Sequence, residues 1–338
     1  MTTSFGFTVS QRASLIGGDP LKDLIRLGAQ AEQSEFIDTI WVGDSLTVKP
    51  RPDAIVLLGA LASLTERVRL GVACMATFPV RDPIQFALQW SSLDNLSDGR
   101  SLLAVCNGTQ KAGGGSEIEG GYFGGITDPE RPLRLEENIR IVRALWTGET
   151  VDFDGEFTSF RDLRITPTVQ QPAPIWIAGM PAFNTKLGDR FFERVARYAD
   201  GYQITTRSAS VIAAAREQIS AAFDRLGLPH REIPIAAYTG VAVGEDRAKT
   251  LATVGGFLDG YYGRGAFAPE RLGFAGAFGS LDETVEQLVE LVESGVDHIS
   301  LRLLSLDTRA QFDLLVSEVL PAVAAATPIA SAALQAVR

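Results

Sequence analysis

The chain reads as an α/β protein of the (β/α)8 class, a TIM barrel, and three observations carry that reading. Short apolar runs alternate with amphipathic helical stretches almost to the end, giving eight strand–helix units. Most of the strand-like runs are continuously apolar, as parallel strands covered by helices are, rather than alternating. Eight such units joined by right-handed crossovers close most naturally into a barrel. A doubly wound open sheet is the alternative. It lacks support, because no G-x-G-x-x-G follows a strand and no G-K-[ST] occurs. The 338 residues are read as one domain, 1–338, with insertions at about 108–130 and 255–279, after the fourth and seventh strands. A small hairpin precedes the fifth strand.

The first strand is Phe5–Val9, and a helix follows with Asp19 as N-cap, Pro20 at its first position and Leu21, Leu24, Ile25 and Gly28 on one face. Thr39–Gly43 precedes a helix near Pro52–Leu64. Val68–Cys74 precedes a helix opened by Asp82-Pro83. Ser101–Asn107 leads, after a Gly-rich insertion, into the helix "RLEENIRIVRALW". "ETVDFDGEFTSFRDLRI" is a hairpin turning at Asp154-Gly155. Strands Ala173–Gly179, Gly201–Thr205 and Ile233–Val243 continue the series, each followed by a helix. Ser280 and Glu283 have capping-box spacing ahead of the stripe Val285, Leu288, Val289 and Val292. His298–Leu304 and a last helix to about Val323 close it.

Composition narrows the function. With 46% hydrophobic and 21% charged residues the chain is globular, and its net charge of −10 leaves no basic excess for nucleic acid. The N-terminus lacks a basic region and a long apolar run, and no stretch is long and apolar enough for a membrane span, so a cytoplasmic protein is expected. The two cysteines, Cys74 and Cys106, lack metal-ligand spacing and read as reduced thiols rather than a disulfide scaffold.

In a barrel of this class, chemistry gathers where the strands end and the βα loops begin. Those ends supply Asp44-Ser45, Cys74-Met75, Cys106-Asn107, Gly179-Met180 and Gln203. His298 and His230 fall at the opposite end and read as structural, which argues against a histidine base or metal site there. Small or polarizable side chains at neighbouring strand ends (Cys74, Met75, Ala76, Cys106) suit a flat apolar wall for a planar conjugated ring. Asp44 reads equally as a proton relay or as a buried carboxylate holding its loop. Lys49, Arg51, Arg81 and Lys111 follow the second, third and fourth strands and crowd one rim. The loop aromatics Phe78, Tyr122, Phe123, Tyr261, Tyr262 and Phe267 are candidates for shaping an apolar pocket.

Several stretches together resemble the bacterial luciferase-like superfamily: "FIDTIWVGDSL", "ERVRLGVACMATFPVRDPIQFA", "LDNLSDGRSLLAVCNG" and "RLEENIRIVRALWTGE". "PAPIWIAG…VARYADGYQI" and "GSLDETVEQLVELVESGVDHISL" extend the likeness over nearly the whole chain. The resemblance implies a (β/α)8 enzyme using the deazaflavin F420 or reduced FMN. It implies a non-prolyl cis peptide at Ala73-Cys74 or Cys74-Met75 behind the ring, a bond costing about 3–4 kcal/mol. It aligns Cys106 with a cysteine near the flavin, and lets Gly179-Met180 offer backbone N–H groups to a cofactor phosphate. Two departures stand out: Ser45 occupies the position of a family histidine, and Asn107 that of a phosphate-holding arginine.

With F420, whose tail carries phosphate and glutamates, the basic rim of Lys49 and Arg51 would attract the cofactor, and the reaction would be hydride transfer to or from a small substrate. With FMN, the reaction would be a monooxygenation using O2 and a partner reductase. A flavin-binding protein without turnover is a further alternative. An aldolase or isomerase barrel lacks its strand-end lysine or carboxylate cluster. The Gly-rich segments 108–125 and 255–279 are candidate lids. The resemblance also implies a homodimer.

Overall fold

The computed structural model describes residues 2–108, 115–170, 172–265, 272 and 276–330. Strands β1 (Ser4–Val9), β2 (Ile37–Val42), β3 (Arg69–Met75) and β4 (Ser101–Val105) alternate with helices α1 (Leu21–Gln30), α2 (Ala54–Ala62) and α3 (Pro83–Leu96). After β4 come α4 (Gly115–Tyr122) and α5 (Arg131–Trp146), then the hairpin β5 (Val151–Asp154) and β6 (Ser159–Leu163). Next are β7 (Ile175–Ala178), α6 (Lys186–Tyr198), β8 (Gly201–Ile204), α7 (Ala209–Leu226), β9 (Ile235–Val243) and α8 (Arg247–Tyr262). A short strand β10 (Gly276–Gly279), a helix at Leu281–Glu293, β11 (His298–Leu303) and two terminal helices complete the described chain.

All strands but the hairpin run parallel in the order β10-β9-β11-β1-β2-β3-β4-β7-β8, and pairing of β8 with β9 closes the ring. The eight barrel strands coincide with the eight read from the sequence. β10 is the addition: Gly240 and Val241 pair both with β11 and with β10, so β10 lies on the β8 side of β9, beyond the point where β8 ends. Of the stretch expected as an insertion over 255–279, residues 255–262 belong to α8 and Gly276–Gly279 form β10. The first residues finish α8, because the apolar positions Phe257, Leu258 and Tyr261 continue the helix's buried face.

Local chemistry fixes the helix starts. The Asp53 carboxylate accepts from Ile55 N and Val56 N, Asp82 accepts from Gln85 N ahead of Pro83, and Ser280 and Glu283 cap each other reciprocally. Pro20 itself, rather than Asp19, stands at the cap of α1. The α5 carboxylate of Glu137, almost fully buried, accepts the N–H groups of Glu156, Phe157 and Thr158 and so holds the hairpin turn.

Two cores result. One lies between strands and helices; the other, inside the ring, contains Trp41, Ala73, Leu102, Ala104, Cys106, Trp176, Ala178 and Ala236. Trp41 and Trp176 plug the barrel with ring centroids 6.0 Å apart. Glycine makes room for them: a Cβ on Gly6 would stand 2.5 Å from Trp41 Nε1, and one on Gly201 2.5 Å from Trp176 Cε2. His298 sits against both indoles, accepting from Trp41 Nε1 at 3.1 Å, so its Nδ1 keeps the proton and donates to Ser4 Oγ at 2.8 Å. Burial first, tempered by Asp38, lowers its pKa and keeps it neutral. The structural reading of His298 agrees with these contacts, and His230 is an exposed partner of Asp224.

Candidate active site

Above the tryptophan plug, at the C-terminal ends of the strands, the barrel opens into a cavity of about 1290 Å³. That exceeds the usual span for a single small ligand, about 300–1,000 Å³, and leaves room for a cofactor and a substrate together. Of the residues singled out by sequence, Asp44, Ser45, Lys49, Arg51, Ala73, Cys74, Cys106, Asn107, Gly179 and Met180 all line it. Met75 does not.

The exception has a geometric cause. Pairing of β3 with β4 slips between Val72 and Met75, a bulge that turns both Ala73 and Cys74 towards the cavity. Met75 then points outward and is fully buried in the outer core. The bulge is built from trans peptides; the cis bond among the described residues is Thr166–Pro167, so the cis linkage expected at Cys74 is absent. The bulge also brings Cys74 opposite the end of β4, with a Cα–Cα distance of 5.8 Å to Cys106, and the two are joined in a disulfide. The expectation of two reduced thiols is thereby corrected. The floor is apolar and small: Ala73, the disulfide, Ala76 and Ala178.

The loop after β2 is held from beneath. Asp44 is buried and both oxygens are engaged: Oδ2 accepts from Thr77 N (2.8 Å) and Thr77 Oγ1 (2.7 Å), and Oδ1 faces Arg81 Nη2 at 3.4 Å. Arg81 also bridges to Asp53 at 3.0 Å, so it is a structural tie between β2 and β3 rather than a free rim charge. Ser45 Oγ accepts from Lys49 N and tightens the turn. Lys111 and Phe267 lie outside the described residues.

Sequence reasoning missed the cations packed behind Lys49 and Arg51, namely Arg302 and Arg12, neither of which lines the cavity itself. Arg302, buried on β11, donates to Tyr262 Oη at 2.7 Å and to Ser10 Oγ at 3.2 Å, and packs 3.9 Å from the Tyr261 ring centroid. Lys49 Nζ lies 4.7 Å over the Tyr262 ring, and Arg51 and Arg12 flank Tyr261. Among the described residues none of these four cations has a carboxylate within ion-pair reach. Burial lowers the Lys49 pKa, with Arg51, Arg302 and Arg12 adding to it against the pull of Tyr262. Burial alone would raise the Tyr262 phenol, but Arg302, Lys49 and Arg51 outweigh it and hold its pKa below the ordinary value. Tyr238, on the neighbouring β9, is pushed up by burial.

The opposite wall belongs to α5 and α6. Arg131, fully buried, reaches Glu119 (3.8 Å), Asp128 (3.5 Å) and the Asn107 carbonyl (3.4 Å). Glu119 in turn accepts from Thr47 N and Oγ1. These contacts pin α4, within the first insertion, to the β2 loop. Arg194 pairs with Glu136 at 2.8 Å. At the end of β7, Gly179 N already donates to Gln203 O, so it is not available to a phosphate, and Met180 is exposed at the rim. Among the aromatics Tyr262 lines the cavity, whereas Phe78 is buried in the outer core and Tyr122 and Phe123 face solvent.

One buried acceptor at the floor has no partner: Asn107 Oδ1, among the described residues, makes no hydrogen bond. Together with the flat apolar floor, it suits the N–H edge of a flavin or deazaflavin ring. No group of three metal-binding side chains occurs among the described residues.

Known proteins resemble this chain in the same direction. It is 28% identical over 68% of its length to an F420-dependent glucose-6-phosphate dehydrogenase from Kineococcus radiotolerans, and the match spans 66% of that relative. With the enzyme of the same description from Beutenbergia cavernae it shares 33% identity over half of each chain. In fold it is similar to an F420-dependent secondary alcohol dehydrogenase in complex with an F420-acetone adduct (TM-score 0.75, 18% identity, 96% of this chain and 99% of that one). It is similar also to the FMN-bound oxygenating constituent of 3,6-diketocamphane monooxygenase from Pseudomonas putida (TM-score 0.70, 16% identity, 95% and 99% covered). The luciferase-like monooxygenase family matches residues 2–298, and the chain belongs to that family.

Proposed function

We propose that the chain is an F420-dependent oxidoreductase that moves a hydride between the deazaflavin and an alcohol or carbonyl carbon of a small substrate. The observation that carries this reading is the union of a small apolar floor with an adjoining wall of Lys49 and Arg51, backed by Arg12 and Arg302, in which no cation has a carboxylate within ion-pair reach among the described residues. When bound, F420 supplies a two-electron hydride acceptor or donor and no oxygen chemistry. Ala73, Ala178 and the Cys74–Cys106 disulfide form the surface for the ring, and Asn107 Oδ1 accepts from its N–H edge. Lys49 and Arg51 attract the anionic tail. Asp44 acts through the loop, keeping Lys49 and Arg51 at the mouth. The FMN-dependent monooxygenase is the second reading, favoured only by the fit of the same floor to an isoalloxazine. A homodimer in the cytoplasm, served by a reductase, completes the proposal; no described helix is long and apolar enough to cross a membrane.

The test is a fluorescence titration of the full chain with F420 and with FMN, followed by turnover assays with propan-2-ol and glucose 6-phosphate, the substrates the relatives' names suggest. F420 binding at least about tenfold tighter than FMN, a difference of about 1.4 kcal/mol, is the expected result. Tighter FMN binding would replace the reading with its second form. Binding of neither would leave only the fold.

A further inference from the structure

Hydride transfer to or from an alcohol carbon needs a partner for the hydroxyl proton, and the usual candidates in this cavity are committed elsewhere. The family's histidine position is Ser45, whose oxygen accepts from Lys49 N. Both oxygens of Asp44 are engaged by Thr77 and Arg81. Cys74 and Cys106 carry no proton while joined. Glu119 and Asp128 face Arg131, and Glu136 faces Arg194. His298 lies beneath the indole plug. Glu193 pairs with Arg225, and what remains on the cavity wall is Lys49, which has no lone pair to take a proton while it is charged, and two phenols, Tyr238 and Tyr262.

They differ in surroundings. Tyr262, at the C-terminal end of α8, receives a 2.7 Å hydrogen bond from Arg302 of β11. Lys49 lies over its ring, Arg51 stands on the same loop, the Tyr261 ring lies tilted beside it at 4.8 Å, and Tyr238 and Arg12 face the cluster from β9 and from the turn after β1. Of the described groups, the cations Arg302, Lys49 and Arg51 favour its phenolate.

We propose that Tyr262 is the acid–base residue of this site, positioned by Arg302 to exchange a proton with the substrate oxygen. This rests on the oxidoreductase reading above. In the oxidative direction the carbon–hydrogen bond breaks and its electron pair leaves as hydride to the oxidised deazaflavin. The hydroxyl proton passes to the Tyr262 phenolate, and the products are a carbonyl and a neutral phenol. The reverse step returns the same proton. Charge logic sets the pH dependence: oxidation needs the phenolate, so its rate rises with pH through a transition below the ordinary tyrosine value of about 10.

Two measurements test this. Near-ultraviolet titration of the full chain, without cofactor, follows ionisation of its six tyrosines. The lowest transition is lost in Tyr262→Phe and moves to higher pH in Lys49→Met, which removes a cation but not the phenol. Turnover of propan-2-ol and glucose 6-phosphate with F420 gives the second readout. Tyr262→Phe lowers kcat by about 100-fold or more and abolishes the rising limb, while F420 affinity stays within about twofold. If F420 binds both proteins equally and turnover is unchanged, or if the lowest phenol transition survives in Tyr262→Phe, the assignment of Tyr262 is overturned and the cofactor reading stands. If the wild-type chain binds no F420, the functional reading falls and takes this role with it.

Discussion

The two sides of the cavity both present arginines, yet they are built on opposite terms. On the α5/α6 side, Arg131 and Arg194 are buried and each meets carboxylates: Glu119 and Asp128 for the first, Glu136 for the second. On the β1/β2/β11 side, Arg12, Lys49, Arg51 and Arg302 meet phenol rings, a serine and backbone carbonyls instead. A cation facing an aromatic ring gains about 0.5–2 kcal/mol, less than a buried ion pair loses when it is broken. The paired side holds architecture together. On the other side the positive charge is not offset by any carboxylate among the described residues.

The largest effect expected from this contrast is at Arg131. Arg131→Met leaves Glu119 buried with, among the described residues, only the Thr47 donors, and the β2 loop, β4 end and α4 lose their common tie. A loss of about 3–5 kcal/mol in denaturant-unfolding stability is expected. A loss below about 1 kcal/mol would show that the pairing is ornamental and dissolve the distinction.

How much of this contrast was legible in the sequence depends on what each residue's place requires. Barrel strands announce themselves because burial on both faces demands continuous apolar runs, and caps such as Asp53, Asp82 and Ser280 announce helix starts because orphan N–H groups need acceptors. Asp44, Lys49, Arg51 and Cys106 followed from the rule that βα loops carry the site. Met75 was misplaced because a bulge reverses which side chains face inward, and no local signal fixes where a bulge falls. Arg302 did leave a signal. In "HISLRLL", His298, Ser300 and Arg302 alternate with Ile299, Leu301 and Leu303, which marks a polar face turned into the barrel. Arg131 left none, since a charge near a helix start reads as surface, and its burial arises only when α4 folds over it.

The second test sets Arg302 directly against Arg131. Arg302→Met removes an equally buried guanidinium, but one bound by Ser10 and Tyr262 oxygens and with its Nη2 unpartnered among the described residues. Two hydrogen bonds from a charged donor are lost and no carboxylate is stranded, so a loss of about 2 kcal/mol is expected in the same unfolding assay. A loss equal to that of Arg131→Met would mean that the phenols act as full counter-charges, and the two sides would no longer differ in kind.

The smallest structural effect, and the sharpest on function, belongs to Arg51. Its side chain donates to the Lys49 carbonyl and packs 5.5 Å from the Tyr261 ring, contacts that together are worth about 1 kcal/mol or less of stability. Its charge is a different matter. A cation about 4 Å from an anionic tail contributes between about 1 kcal/mol in open water and about 4 kcal/mol at a protein surface. Arg51→Ala is therefore expected to leave unfolding nearly unchanged while weakening F420 by about tenfold at low ionic strength, the equivalent of about 1.4 kcal/mol. The deficit should shrink as salt screens the tail, and a deazaflavin fragment lacking phosphate and glutamates should bind wild type and variant alike. Equal losses for whole cofactor and fragment would place Arg51 against the ring rather than the tail, and the cation wall would then be part of the floor's chemistry instead of its approach.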